Sequence, residues 1–331
     1  MAQISTALPA ALAREIALNL DGRSRLDLRE RASRISERYR SGQPTRAAVA
    51  SAEDALAYAL TRLPATYAAS VTALARFSAE NPAFAPKRVL DLGCGLGAGA
   101  FAALEVWPNI AEVVLLDRSR EFLVLAKDFC AASEHPALAA AAIVEADFSA
   151  FPRLDGAFDL VIVAYALTEL EEAPRAALLS TIWSLEPQAL ALIEPGSPRD
   201  WRRLMTSRAQ LVAAGAHIAF PCPHDRACPL EEPDWCHFAA RLARSRDHKF
   251  LKNADVPYED EKFSALVARP GPRPAAAKAR VLRPPLIRKW GLDLKLCTPQ
   301  AADEVAILKR EKARYDLLRK ISWGDSADAP D

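Results

Sequence analysis

An α/β protein built around a parallel sheet is what this sequence predicts, on three observations. Between residues 88 and 193, five short apolar runs alternate with helix-prone stretches, the pattern of strands joined by crossover helices that cover both faces. A glycine-rich turn, Asp91-Leu-Gly93-Cys-Gly95-Leu-Gly97, follows the first run and opens a helix. Aspartates stand at or just beyond the ends of the first three runs, at positions 91, 117 and 147. That is the edge of an open α/β sheet where ligands bind.

Residues 1–80 read as a helical N-terminal region. Leu8, Leu12, Ile16 and Leu20 recur at about helical spacing, and helix-prone stretches follow at Leu26–Tyr39, Ser51–Leu63 and Ala65–Ala79. Arg29, Arg31, Arg34, Arg38 and Arg40 make one face basic, which reads as solvated surface. Residues 81–214 are the core, with strands expected at Arg88–Leu92, Val113–Leu116, Ala142–Glu145, Leu160–Ala164 and Ala189–Ile193. Residues 215–260, rich in Pro, Cys, His and Trp, read as an irregular Cys-rich insertion. Residues 261–298 are expected to complete the sheet through Phe263–Ala268 and the alternating Leu292–Leu296, with Arg269–Lys278 as an exposed basic loop. Thr298-Pro299 reads as the cap and first position of a last helix over 300–320. It lies in a basic segment, 299–331, whose end is expected to fray.

Composition narrows the function. At 51% hydrophobic and 26% charged over 331 residues, the chain is not wholly disordered and has length for one large core or two moderate ones. The net charge is only +1, but the charges are segregated: residues 81–200 carry 8 basic and 17 acidic residues, and residues 201–331 carry 24 and 17. The basic clusters at Arg241–Lys252, Arg269–Lys289 and Lys309–Lys320 are of the kind that phosphate backbones reward through counterion release. Trp235, Phe238, Trp290 and Trp323 are candidates for stacking on unpaired bases. No apolar run reaches membrane-spanning length, so no membrane partner is expected, and nothing implies an oligomer. The N-terminus has no basic start followed by an apolar run, and acidic residues interrupt Arg23–Arg46. Neither a secretory signal nor a transit peptide is expected, and a reducing compartment is.

The glycine turn lets the backbone approach a ligand closely. Asp117, twenty residues after Gly97, can accept both hydroxyls of a ribose, and Asp147 is placed to meet an adenine amino group. No Gly-Lys-Ser/Thr follows, which disfavours a phosphate-cradling loop. A dinucleotide fold is the alternative, but position 100 is Ala where its third glycine would fall. These residues resemble class I S-adenosylmethionine-dependent methyltransferases, whose first motif reads acidic-x-Gly-x-Gly-x-Gly. The resemblance implies a Rossmann-like methyltransferase sheet and an S-adenosylmethionine site made by Asp91, Gly93, Gly95, Gly97, Asp117 and Asp147. In it the glycines line the methionine moiety, Asp117 holds the ribose and Asp147 the adenine. No catalytic residue is assigned. The turn after the fourth strand, Val163–Glu169, lacks the Asn/Asp-Pro-Pro-Tyr/Phe of base-amine methyltransferases and offers only Tyr165 and Glu169.

Of six cysteines, Cys94 and Cys130 read as small core residues. Cys222, Cys228 and Cys236 are separated by five and seven residues, and Cys297 ends the alternating strand. Four thiolates suit a tetrahedral zinc or a [4Fe–4S] cluster; the loose spacing and the prolines after Cys222 and Cys228 favour the cluster, and His224 and His237 keep zinc open. Pro221-Cys222-Pro-His224, Cys228-Pro, Trp235-Cys236-His-Phe, Tyr258–Ser264 and Leu296-Cys297-Thr298, behind the glycine motif, resemble the methyltransferase-like protein 17 family of mitochondrial small-ribosomal-subunit assembly factors and its bacterial relatives. The resemblance covers about residues 85–300. It implies a [4Fe–4S] cluster on Cys222, Cys228, Cys236 and Cys297, and binding to small-subunit ribosomal RNA in the pre-ribosomal subunit. An active ribosomal RNA methyltransferase is one alternative; a protein or small-molecule methyltransferase with a structural zinc or iron–sulfur site is another. The lack of a presequence leads to the expectation of a bacterial cytoplasmic member rather than a mitochondrial matrix one.

Overall fold

The computed structural model describes residues 4–41, 49–147, 152, 154, 156–274 and 279–327. Four helices open it: α1 (Ala10–Leu18), α2 (Arg25–Ser41), α3 (Ala52–Thr61) and α4 (Leu63–Glu80). Ser51 caps α3 by accepting the Asp54 N–H, and Asp54, itself buried, binds Arg31 at 2.8 Å. Two arginines of the expected solvated face, Arg31 and Arg34, are thus tied to Asp54. Most of α4 is buried, with Tyr67, Leu74 and Phe77 fully enclosed.

The core then alternates: β1 (Arg88–Leu92), α5 (Ala98–Val106), β2 (Glu112–Asp117), α6 (Arg120–Ala131), α7 (Pro136–Ala139), β3 (Ala142–Glu145), β4 (Leu160–Ala164), α8 (Glu172–Trp183), β5 (Ala189–Pro195) and α9 (Pro198–Ala213). There follow β6 (Ala216–Phe220), β7 (Phe238–Ala243), α10 (Arg246–Lys252) and β8 (Tyr258–Pro270). The sheet runs β3-β2-β1-β4-β5-β8-β6, with β1 to β5 parallel and β8 antiparallel to both β5 and β6. The first half of β8 also pairs with β7. Strands enclosed on both faces need apolar side chains throughout, and β5 is buried along its whole length. Five parallel strands followed by a reversed one make a methyltransferase-like Rossmann fold with a mixed sheet.

The last part departs from expectation. β9 (Ala279–Val281), β10 (Leu286–Ile287), β11 (Gly291–Cys297), β12 (Ala302–Leu308) and β13 (Ser326–Ala327) form a second sheet, which α11 (Lys312–Leu318) covers. Of residues 261–298, only those in β8 complete the main sheet. Instead of one helix over 300–320 there is a strand and a seven-residue helix. The Thr298 hydroxyl does accept the Gln300 and Ala301 N–H groups, but it closes a turn that returns the chain along β11, from Cys297–Ala302 to Gly291–Leu308. Cross-strand pairing overrides the cap signal because Val305 and Ile307 gain a shared apolar layer with Leu292, Leu294 and Leu296. The tail does not fray through Ala327, which pairs with Ala279. Nor are residues 215–260 irregular throughout, since β6, β7 and α10 lie among them. Lys278 of the basic loop and the last residues of the tail, 328–331, lie outside the described residues. Among the described residues no helix is long and apolar enough to cross a membrane.

Candidate cofactor pocket and cysteine site

The glycine turn builds the pocket floor. Gly93, Gly95 and Gly97 all have positive φ, at 68°, 52° and 83°, where other residues are strained. A side chain on Gly95 would find nothing nearer than Phe122 Cδ2 at 3.9 Å, so it would project into open space that a ligand would otherwise fill. The Gly95 N–H donates to Asp117 Oδ2 at 2.8 Å and the Ser119 N–H to Oδ1 at 2.9 Å, folding the turn onto the end of β2. Burial pushes the Asp117 carboxyl up, opposed by these hydrogen bonds. Asp147 lies nearby, bound by Arg118 at 2.8 Å. The cavity holds about 660 Å³ and is walled by Tyr58, Leu63 and Thr66 of the N-terminal helices, by Phe122, and by Tyr165 and Glu169 after β4. That size, with a few polar groups on mostly apolar walls, suits a nucleoside-sized cofactor.

Of the six residues expected at this site, Gly93, Gly95, Asp117 and Asp147 line the cavity. Gly97 instead caps α5 from the left-handed region, packed near Leu115 and Phe101. Asp91 lies beneath the helix start, 1% exposed, and accepts the Ala100 N–H at 2.8 Å. Gly99 was not singled out from the sequence, yet a Cβ there would sit 2.8 Å from an Asp91 oxygen and 2.9 Å from Ile162. The missing side chain lets α5 descend onto that carboxylate.

Burial pushes Asp91 up to about 7 and, with Asp200 near it, Glu194 up to about 8. Both folded-state values lie above the unfolded ones, so their stabilisation is present at low pH and is lost as pH rises toward 7 or 8. Replacing Asp91 with Asn, which keeps an acceptor for Ala100, removes one such loss. The variant is expected to gain on the parent in urea midpoint between pH 5 and pH 8; a constant difference across that range would contradict this assignment.

Tyr165 ends β4 with φ of +58° and turns its hydroxyl onto Glu261 at 2.9 Å. Arg62 lies 3.4 Å from the same carboxylate oxygen. This cavity-lining tyrosine is therefore held by the reversed strand β8.

The four cysteines come together. Cys222 follows β6, Cys228 and Cys236 lie in the loop before β7, and Cys297 ends β11 of the second sheet. All four line one small cavity, with Trp201, Leu230 and Leu282 as apolar walls and Arg280 beside them. Burial and the neighbouring cysteines push the Cys236 thiol well above its usual range and Cys297 up to about 12. His224 Nε2 is 3.8 Å from Cys297 Sγ, while Trp201 Nε1 is buried without a hydrogen-bond partner among the described residues. Four soft donors around one enclosed space fit a thiolate-bound metal group. As the side chains stand, no group of three or more His, Cys, Asp or Glu among the described residues is arranged to hold a single metal ion. The other two cysteines, Cys94 and Cys130, are buried in the main core.

Many expected RNA-contacting cations are paired within the fold: Arg241 with Asp260, Arg244 and Lys252 with Glu259, Arg273 with Asp225, and Arg280 with Glu80. Phe238 is buried and Trp235 stacks on His237 at 4.7 Å.

Fold and pocket define an α/β protein of methyltransferase-like Rossmann fold with a cavity against its glycine turn. A family model described as mitochondrial small ribosomal subunit Rsm22 matches residues 52–328, and the chain belongs to this family. It is 30% identical to the human ribosome assembly protein METTL17, mitochondrial, over 288 residues, covering 82% of this chain and 61% of that protein. It is 24% identical to the Rsm22-cox11 tandem protein 2, mitochondrial, of Schizosaccharomyces pombe, covering 82% of this chain and 42% of that protein. The chain thus spans about two fifths to three fifths of the length of these relatives. Among solved structures, it is similar to a magnesium protoporphyrin IX methyltransferase from Synechocystis with bound S-adenosylmethionine, at 16% identity and a TM-score of 0.40, covering 63% of this chain and 81% of that one. A ribosomal protein L11 methylase from Lactobacillus delbrueckii is similar at 17% identity and a TM-score of 0.37, covering 61% and 79%. The comparisons correct one expectation. The family and both relatives are mitochondrial by name, which overturns the assignment to a bacterial cytoplasm.

Proposed function

We propose that this chain is a small-ribosomal-subunit assembly factor that binds small-subunit ribosomal RNA, holds S-adenosylmethionine beneath the glycine turn, and carries a [4Fe–4S] cluster on Cys222, Cys228, Cys236 and Cys297. Membership of the Rsm22 family carries the ribosomal part. The gathering of four cysteines from separate segments around one cavity supports the cluster. The cavity against Gly93, Gly95 and Asp117 supports the cofactor, which supplies a methyl donor when bound. Asp117 would hold its ribose, Asp147 would meet its adenine, and the N-terminal helices would keep water from it. Binding without transfer is the preferred state, because the Tyr165 hydroxyl is committed to Glu261 and no base-amine turn follows β4.

Zinc is the second reading, favoured by His224 beside Cys297. Anaerobic purification decides between them: a brown protein with about four irons per chain supports the cluster, and a colourless one with a single zinc overturns it. For the RNA, binding should weaken steeply with salt. Affinity no greater than that of a neutral control protein would sink the ribosomal reading. For the cofactor, Asp117→Ala is expected to weaken S-adenosylmethionine binding by about tenfold to a hundredfold, the worth of charge-assisted hydrogen bonds. Unchanged affinity in calorimetry would refute the ribose assignment.

A further inference from the structure

We propose that the tip of the β10–β11 hairpin is a contact for single-stranded RNA, in which Trp290 stacks on an unpaired base and the cations around it hold the flanking phosphates. This rests on the ribosomal RNA reading above and names the surface that would serve it. The hairpin is closed by two hydrogen bonds, Arg288 N–H to Gly291 O at 2.9 Å and Gly291 N–H to Arg288 O at 3.3 Å. That closure leaves Lys289 and Trp290 alone at the tip. Trp290 is 46% exposed and Ile287 beside it 82%. Ile287 pairs with Leu292, which is buried on the α11 side of the sheet, so Ile287 projects on that same side. It borders an open cleft of about 320 Å³ whose walls include Tyr315 and Trp323.

The charge around this apolar tip says what would cover it. Lys309 N–H donates to Trp290 O at 2.9 Å, which brings Lys309 and Arg310 to the same end of the sheet. Lys289, Lys309 and Arg310 are exposed and have no ion pair among the described residues, whereas Arg288 shares Asp293. Residues 283–320 hold ten basic and five acidic side chains. An exposed indole at an end of the sheet that also carries exposed cations suits a partner with a π face and an anionic backbone. An RNA duplex hides its base faces, so the partner is single-stranded. The other three aromatics are engaged within the fold: Phe238 is buried, Trp235 donates its indole N–H to Gly196 O, and the half-buried Trp323 packs against His237 and Phe238.

The test uses the full chain and a labelled, unstructured RNA of about 12 nucleotides, within the span that one such site covers. Trp290→Ala is expected to weaken binding about tenfold or more at fixed salt, with the melting temperature and the salt slope unchanged. Lys309→Ala should reduce the slope of log affinity against log salt by about 0.7, the value of one single-strand phosphate contact. Ile287→Ser, at a more exposed position, is a second variant in case the first disturbs the turn. If the parent binds the RNA and Trp290→Ala binds it within about twofold, this surface is wrong while the ribosomal RNA reading stands. If the parent does not bind, that reading fails first. Loss of a ribosomal protein from Trp290→Ala, with RNA affinity kept, would also overturn the proposal.

Discussion

Replacing Arg280 with methionine is expected to lower folding stability by about 3 to 5 kcal/mol, the usual loss when one partner of a buried ion pair is removed. Arg280 is 4% exposed and lies in β9 of the second sheet, yet its guanidinium reaches out of that sheet to α4 and to the end of β6. Nη1 and Nη2 bind the two carboxylate oxygens of Glu80 at the end of α4, at 2.5 and 2.7 Å. Nε donates to Pro221 O at 2.7 Å and Nη1 also to Gly324 O at 2.9 Å. The planar fork matches the carboxylate, and the remaining donors meet two carbonyls, which a lysine could not reproduce. Removing it strands both carbonyls and leaves Glu80, itself partly exposed, without its partner. Arg76 supports the same junction by donating to Trp323 O at 2.7 Å. Loss of Arg280 should therefore raise hydrogen exchange in β9 and β11 well before it does so in β1 or β4. Arg283→Met is the control: its pair with Glu304 is largely solvated, and its loss should cost at most about 1 kcal/mol. Similar urea midpoints for the two variants would remove Arg280 from this role.

That junction also marks where the sequence stops being legible. The inner parallel strands are readable because enclosure on both faces demands apolar runs, and Arg88–Leu92 and Leu160–Ala164 are found at their expected bounds. No such demand acts on the second sheet, where β10 has two residues and β12 begins with Ala302, Asp303 and Glu304. Its strands exist through pairing with β11, which local propensity does not encode. The glycine turn is legible because positive φ excludes other residues. Asp91 is harder, since a carboxylate at a strand end looks the same in sequence whether it faces a ligand or caps a helix from below. Gly99 carried no signal, because the need for it arises from the packing of α5 against Asp91 and Ile162. The basic clusters misdirect for a similar reason: charge counts do not distinguish Arg241, held by Asp260, from Lys309, which has no ion pair among the described residues.

Cys228→Ser is expected to abolish iron binding, from about four irons per chain to fewer than one, and to loosen the junction that Arg280 holds from its other side. Cys222, Cys228 and Cys236 come from the loop joining β6 to β7, and Cys297 from the second sheet. A group bound by all four would close a loop between the two sheets, and its binding free energy would become folding free energy for that region. Hydrogen exchange in residues 222–236 and in β11 should then rise together in Cys228→Ser, as in the metal-free parent. Cys130→Ser separates this from simple loss of a buried thiol. Cys130 is 3% exposed in the main core, so its replacement should cost stability but leave the iron content and the protection of β11 unchanged. If Cys228→Ser keeps its iron, or if β11 stays as protected as in the parent, the four cysteines do not form one metal site and the two sheets are joined by Arg280 and apolar packing alone.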